Sequence, residues 1–428
     1  MNKPPLDGIR IIDLTGAWAG SYMTCILADM GAEVIKVESF SHLDSWRGVP
    51  DRETAEKLNP KTYIGGQPGS RPYDRSVIYQ SINRNKRSIA LNLKAPEGVE
   101  IFRRLVKIGD VVAENFSPRV MKGFGLDYPA LKEINPRIVM ISISAYGHTG
   151  PYGKYRGIGG TTEPMDGMAS LIGYPGGPPM NHGVMYPDPV SGMHGAAALL
   201  TALYYRNRTG QGQYIDLSMQ EANIPFIGEA IMEYSMNTRV LERRGNTHPT
   251  FAPHSYYRCQ GEDEWVSIVV TSDEEWQALV TCMGSPPWTH EKRFATPLSR
   301  VEHREALDQS IESWTKELDK REIMYRLQQA GVPSGAVLAG DDLLNDQHLG
   351  ARNHFQELEY PDGNRYKTLA AAWKMSSTPI QHWRSSPCLG EDNEWVLIEL
   401  LGMPKEECEK LREKGVIATE PSQDAVSF

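Results

Sequence analysis

The chain has 428 residues, 40% of them hydrophobic, with 39 Gly, 29 Pro and a formal net charge of -9. That length supports a large buried core shared by two or three domains, and the acidic balance argues against a nucleic-acid partner. No apolar window reaches the length of a membrane span, and the polar start Met1-Asn2-Lys3-Pro4-Pro5 is no signal peptide, which predicts a cytoplasmic protein with no membrane partner.

Gly8 to Leu14 reads as a short apolar strand. The turn Thr15-Gly16-Ala17-Trp18-Ala19-Gly20 ends it, a helix follows to about Met30, and Ala32 to Glu38 is a second strand. Strand, Gly-bearing turn, helix and strand make a βαβ unit with a parallel sheet. The pattern repeats: a strand at Arg87 to Leu93, a helix from Ala95 to Ile108 with Pro96 in its first turn, then strands at Asp110 to Phe116 and Ile138 to Ser144. The prediction is a doubly wound, Rossmann-like α/β domain with ligands at the carboxyl ends of its strands. A long run of helix formers, Met193 to Tyr205, follows a Gly- and Pro-rich stretch, and Tyr214 to Ser218 is one more strand. From about Asn223 the texture changes to aromatics and charges, with a strand at Glu264 to Val270 and helices near Asp273 to Cys282 and Arg300 to Gln329. This divides the chain into 1–222, the first part of the large domain; 223–330, a smaller α+β domain; and 331–428, where Gly331 to Val337 rejoins the large domain ahead of C-terminal helices.

Cys25, Cys259, Cys282, Cys388 and Cys408 are odd in number and lack CxxC spacing, which predicts free thiols and no zinc site. The eleven histidines show no HExxH or HxxxH spacing, so no metal is expected; His194 reads as a packed or surface residue. No GxSxG elbow is present. The first turn, Gly16-x-x-x-Gly20 with Glu38 at the end of the next strand, lacks the paired GxG of a dinucleotide fingerprint. The basic cluster Asn83-Arg84-Asn85-Lys86-Arg87 is either solvated or a phosphate contact. Asn115-Phe116-Ser117-Pro118-Arg119 and Lys122 follow a strand's carboxyl end, the better place for a ligand. Asp188 sits in Tyr186-Pro187-Asp188-Pro189-Val190-Ser191-Gly192, on a loop feeding a helix N-terminus, where unpaired N–H groups favour a carboxylate and could hold an oxyanion. Read locally it is either a helix cap, with Ser191 as a rival, or a nucleophile.

Taken in order, several segments resemble the class III CoA-transferases, the formyl-CoA and carnitine-type transferases among them. They are Leu27 to Glu38, Asn85 to Ile89, Glu114-Asn115-Phe116-Ser117-Pro118, Asn135-Pro136-Arg137, Tyr146 to Pro151, Arg208 to Gln213 and Gly331 to Gly335. The resemblance runs over nearly the whole chain, from Leu6 to Ile417, and its D-x-x-[ST]-G context falls on Asp188-Pro189-Val190-Ser191-Gly192. It implies that Asp188 is the nucleophile and that CoA passes from an acyl-CoA to a free carboxylic acid through aspartyl anhydride and aspartyl-CoA intermediates. Coenzyme A is then substrate, and no tightly bound cofactor is implied. By position, Ala17, Trp18 and Ala19 would lie beside CoA, with Asn115, Phe116, Arg119 and Lys122 around its nucleotide. Trp18 stands where some members carry Gln, and Gly123 where many carry Arg. A Gly-rich covering loop has its nearest counterpart in Gly245-Asn246-Thr247-His248-Pro249. Family members form interlocked homodimers, each chain an open ring; a heteromer with a related subunit is the alternative partner. Two rival functions are a 2-methylacyl-CoA racemase, whose catalytic histidine position is here Ile158, and a non-catalytic subunit of such a heteromer. The acyl pocket could draw on Met185, Tyr186, His182, His248, Tyr256 and Tyr257, and the acid expected is a mid-sized mono- or dicarboxylic one.

Overall fold

The computed structural model describes residues 3–58, 60–380 and 382–427. Six strands form one parallel sheet: β1 (Arg10–Asp13), β2 (Glu33–Glu38), β4 (Lys86–Ala90), β5 (Val111–Glu114), β6 (Val139–Ser144) and β7 (Tyr214–Ser218), in the order β4-β2-β1-β5-β6-β7. A two-residue strand β3 (His42–Leu43) lies outside it. The chain winds outward from β1 in one direction and from β5 in the other, so the order reverses between them. In such sheets the crevice at the carboxyl ends beside the reversal is the ligand site.

Both faces of the sheet are covered, so its central strands carry apolar residues on both sides, while the polar residues of β2 and β4 are buried in ion pairs and hydrogen bonds. Ile12, Ile35, Val112 and Met140 point into one core with Phe102, Leu105 and Val106 of the Pro96–Ile108 helix. Ile11, Val34, Val111, Val139 and Ile141 point into the other, with the helices Ala19–Asp29 and Pro187–Thr209. Those two helices approach closely because the second presents glycines: a Cβ at Gly192 would stand 2.7 Å from the Ala19 carbonyl oxygen, and one at Gly195 would stand 2.7 Å from Met23 Sδ. This contact sets the start of the 187–209 helix against the start of the 19–29 helix.

The described chain divides into two compact units. The first runs to Met168, continues over Asn181–Ser235 and resumes at Ala351; the second comprises Ala169–Met180 and Met236–Gly350. The expected division has its boundaries at 222 and 330, whereas the units change at 235 and 350. Gly331 to Val337, expected to rejoin the large domain, instead supplies β10 (Ser334–Ala336), antiparallel to β9 (Trp265–Val269), which pairs with β8 (His254–Arg258). Val332 belongs to that unit's own core with Val266, Ile268 and Trp276. The expected single helix from Arg300 to Gln329 is three: Pro297–Glu302, Arg304–Thr315 and Lys320–Gln329, the last capped by the Asp319 side chain. The return adds a hairpin, β11 (Phe355–Glu359) with β12 (Arg365–Leu369), and β13 (Val426–Ser427) pairs with β3.

Candidate active site

Asp188 lies in the first turn of the 187–209 helix, which begins six residues before the run of helix formers. Pro187 and Pro189 do not prevent this, because the first turn has no intrahelical use for their missing N–H groups. Ser191 does not cap; its hydroxyl donates to the Pro187 carbonyl at 2.6 Å. Asp188 is 8% exposed and its Oδ2 is buried without a hydrogen-bond partner. Burial pushes its carboxyl up to about 6, opposed by the N–H groups of Ala19 and of Asp188 itself. No charged side chain enters that balance. A Cβ on Gly159, at the start of the Gly159–Asp166 helix, would collide with Asp188 Oδ2, so the bare glycine makes room for the carboxylate.

Ala19 opens the 19–29 helix, whose N-cap Trp18 supplies no side-chain cap. Its first N–H groups therefore lack intrahelical partners. The turn before it is held residue by residue. Asp13 Oδ1 accepts from Thr15 N–H and hydroxyl, and Lys36 Nζ donates to the Thr15 carbonyl. Asn115 takes Gly16 N–H at 2.9 Å and donates to the Gly16 carbonyl at 2.8 Å. Asp44 Oδ1 accepts from Ala17 N–H at 2.9 Å, and Ala17 has φ +51°. Trp18 packs on Trp46 with ring centroids 5.2 Å apart.

The structure thus brings Ala17, Trp18, Ala19, Asn115 and Asp188 into one region at the β1 and β5 carboxyl ends. Asn115 turns its amide onto the turn. Phe116 follows it, its N–H donating to Glu114 Oε2 at 2.7 Å, and burial pushes Glu114 up to about 7. Arg119 and Lys122 are exposed and make no ion pair among the described residues. The upstream basic cluster, read as either solvated or phosphate-binding, is neither. Arg84 forms a buried pair with Asp29, Lys86 Nζ lies 3.1 Å from Asp13 Oδ2, and Arg87 pairs with Asp392 over the Trp395 ring. Glu38 is consumed by Arg47 and Ser88.

Of the acyl-pocket candidates, Tyr257 is buried with its hydroxyl on Asp308, a core role, and Tyr256 is exposed. His182 donates its backbone N–H to Glu163 Oε1 and sets Nδ1 2.8 Å from the same oxygen, with its ring stacked on Tyr186. Ile158 is exposed and His194 lies at the surface. Gly245 has φ +60°, and its N–H bonds the Gly173 carbonyl. Asp44, Gly159 and Glu163 had no local signal, since their partners are distant in sequence. All five cysteines are free, and no group of residues suited to a metal ion occurs among the described residues. No helix among them is long and apolar enough to cross a membrane.

The sequence model of CoA-transferase family III matches residues 6–393. Succinate–glutarate CoA-transferase of Agrobacterium fabrum is 35% identical over 93% of this chain and 96% of its own. Succinyl-CoA–D-citramalate CoA-transferase of Chloroflexus aurantiacus is 33% identical over 96% of this chain and 98% of its own. A CAIB/BAIF family protein from Brucella suis has a solved structure that superposes with a TM-score of 0.82, at 32% identity over 93% of this chain and 100% of that one. On the family match and these relatives together, the chain belongs to CoA-transferase family III and is a class III CoA-transferase.

Proposed function

We propose that the protein moves CoA between dicarboxylic acids, with Asp188 as the nucleophile and succinyl-CoA as a donor. The observation that carries this reading is the buried Asp188 carboxylate, with Oδ2 unpartnered in the space left by the bare Gly159 and no charged side chain against it. One Asp188 oxygen attacks the thioester carbonyl; the C–S bond breaks, giving a mixed anhydride and CoA thiolate. The thiolate attacks the aspartyl carbonyl and releases the first acid, leaving aspartyl-CoA. The acceptor carboxylate repeats the sequence in reverse, so that it leaves as the new thioester and Asp188 is restored. Every step exchanges one activated acyl group for another, and the covalent route splits a difficult exchange into easier ones. Tetrahedral oxyanions on the aspartyl carbon would be met by backbone N–H donors.

The names of the two curated relatives, both acting on dicarboxylic acids, support that acid class. Ala17, Trp18, Phe116, Arg119 and Lys122 would bind CoA across the crevice, the last two meeting its phosphates. The working form is an interlocked homodimer: the Gly228–Asn237 helix buries none of its residues although Ile231, Met232, Tyr234 and Met236 are large and apolar. Exposed large apolar side chains clustered on one short helix call for a partner surface. The test is incubation with succinyl-CoA followed by mass spectrometry of the Asp188 peptide. A CoA adduct is expected on Asp188, absent from Asp188→Ala; transfer at parental rate by Asp188→Ala would refute the mechanism. A screen of dicarboxylic acceptors identifies the acid.

A further inference from the structure

The first βα turn is held by two side chains from outside it, and both are spent on its backbone. Asn115 follows β5, the neighbour of β1 at the point where the strand order reverses, so its amide spans the crevice. It presents an acceptor to Gly16 N–H at 2.9 Å and a donor to Gly16 C=O at 2.8 Å. A side-chain amide offers both functions side by side on two atoms of one plane; a carboxylate serves the N–H alone and an aliphatic side chain serves neither. Asp44 Oδ1 takes Ala17 N–H at 2.9 Å and Trp46 N–H at 3.0 Å. Its Oδ2 lies 3.3 Å from Lys36 Nζ, with the Asp44 side chain 5% exposed. Ala17 itself is left-handed, a conformation a residue with a Cβ keeps only where its surroundings hold it.

We propose that Asp44 and Asn115 are positioning residues of the transfer reaction: by fixing Gly16 and Ala17 they aim the Ala19 N–H toward the Asp188 carboxylate, the two helix starts packing so closely that a Cβ at Gly192 would stand 2.7 Å from the Ala19 carbonyl oxygen. The same donor then lies beside the aspartyl oxygen that gains charge each time thiolate or acceptor attacks the acylated Asp188. The helix start needs such a lever because Trp18 provides no side-chain cap and would otherwise leave the turn free to pivot. The role rests on Asp188 being the nucleophile, and it is one that Gly16 and Ala17 cannot fill alone.

The test compares Asn115→Ala, Asn115→Asp, Asp44→Ala and Asp44→Asn with the parent. The readouts are kcat, the KM for acyl-CoA, and the rate at which the CoA adduct appears on Asp188. A donor displaced by about 1 Å lowers turnover by roughly 10²-fold, so both alanine variants should lose about that much in kcat and in adduct formation. Their KM for acyl-CoA should rise by much less than kcat falls, because Ala17 and Trp18 also face CoA whereas the Ala19 donor acts on the reacting carboxylate. Asp44→Asn keeps an acceptor for Ala17 and should recover roughly tenfold of the loss, whereas a purely structural role would show no such rescue. The acidic limb of kcat/KM should also move to higher pH, since a carboxylate that loses an N–H donor holds its proton more tightly. If an alanine variant does not fold, Asn115→Asp and Asp44→Asn carry the test with losses of about tenfold each. Adduct formation at the parental rate in the folded variants would overturn this role alone. A parent chain that formed no adduct would overturn the nucleophile itself, a result visible before any variant is made.

Discussion

Replacing Asp188 by Asn should remove transfer and make the protein more stable at neutral pH, because the same burial that prepares the carboxylate destabilises the fold. The folded carboxyl titrates near 6 and an ordinary one near 3.8. Between those values the folded chain holds more protons than the unfolded one, so stability falls as pH rises through that window and the full deficit is present above about pH 6. A rise of about two pKa units corresponds to about 3 kcal/mol, at about 1.4 kcal/mol per unit. Solvent screening removes little of this from a residue only 8% exposed. Asparagine has nearly the same shape and no charge to desolvate, although its NH₂ must find an acceptor, so a net gain of about 1–3 kcal/mol is expected at pH 7.5. Most of that gap should close at pH 4, where the parent carboxyl is protonated in the folded chain. Urea denaturation of both proteins at the two pH values, at one fixed protein concentration, measures it. An Asp188→Asn protein no more stable than the parent at pH 7.5, or offset equally at both pH values, would refute the reasoning. In the parent, kcat/KM for acyl-CoA should fall below about pH 6, as the free-enzyme carboxyl becomes protonated.

Gly159→Ala places a Cβ against Asp188 Oδ2; a fall of roughly 10²-fold in kcat is expected from the displaced carboxylate, against a stability loss of only about 1–3 kcal/mol. Steady-state kinetics with thermal melting checks this, and parental kcat would refute it. Arg119→Ala with Lys122→Ala should raise the KM for acyl-CoA by roughly one to two orders of magnitude, the worth of about 1.5–3 kcal/mol of phosphate contact, without moving the acceptor's KM. Unchanged acyl-CoA binding in the double variant would remove these two residues from the nucleotide site. Sedimentation at sub-micromolar protein should give the mass of a dimer; a monomer would rule out threading.

The parallel sheet was legible because its strands are short Ile- and Val-rich runs, and burial on both faces is what makes such runs continuous. Asp188 was legible as a helix-start carboxylate, yet the helix begins at Pro187 because prolines that look like loop residues suit a first turn. What local pattern could not reveal was the choice of partner. Asn115 stands 99 residues from Gly16 and was read as a ligand contact from its place after a strand. Arg84, Lys86 and Arg87 read as a solvated or phosphate-binding row of charge, but they are paired with acids on other elements, Asp29, Asp13 and Asp392. The strand at Ser334–Ala336 has the composition of an edge strand, and only its pairing with β9 shows which sheet it edges.

Around the turn four buried acids each have a cation. Asp13 has Lys86, Asp29 has Arg84, Glu38 has Arg47 and Asp44 has Lys36. Such pairs add little net stability, but breaking one leaves an uncompensated buried charge at about 3–5 kcal/mol, so they penalise every alternative arrangement of the turn. Asp188, like Glu114 at the end of β5, has none, and only two backbone N–H groups oppose its burial. A cation in its place would hold the carboxyl low and leave a weakly basic oxygen already engaged. Without one, the carboxylate is still ionised at neutral pH yet more basic than an ordinary aspartate, which favours attack on a thioester. The rigid turn and the unpaired carboxylate are therefore complementary: ion pairs fix the donors in place, and their absence at Asp188 keeps the nucleophile reactive.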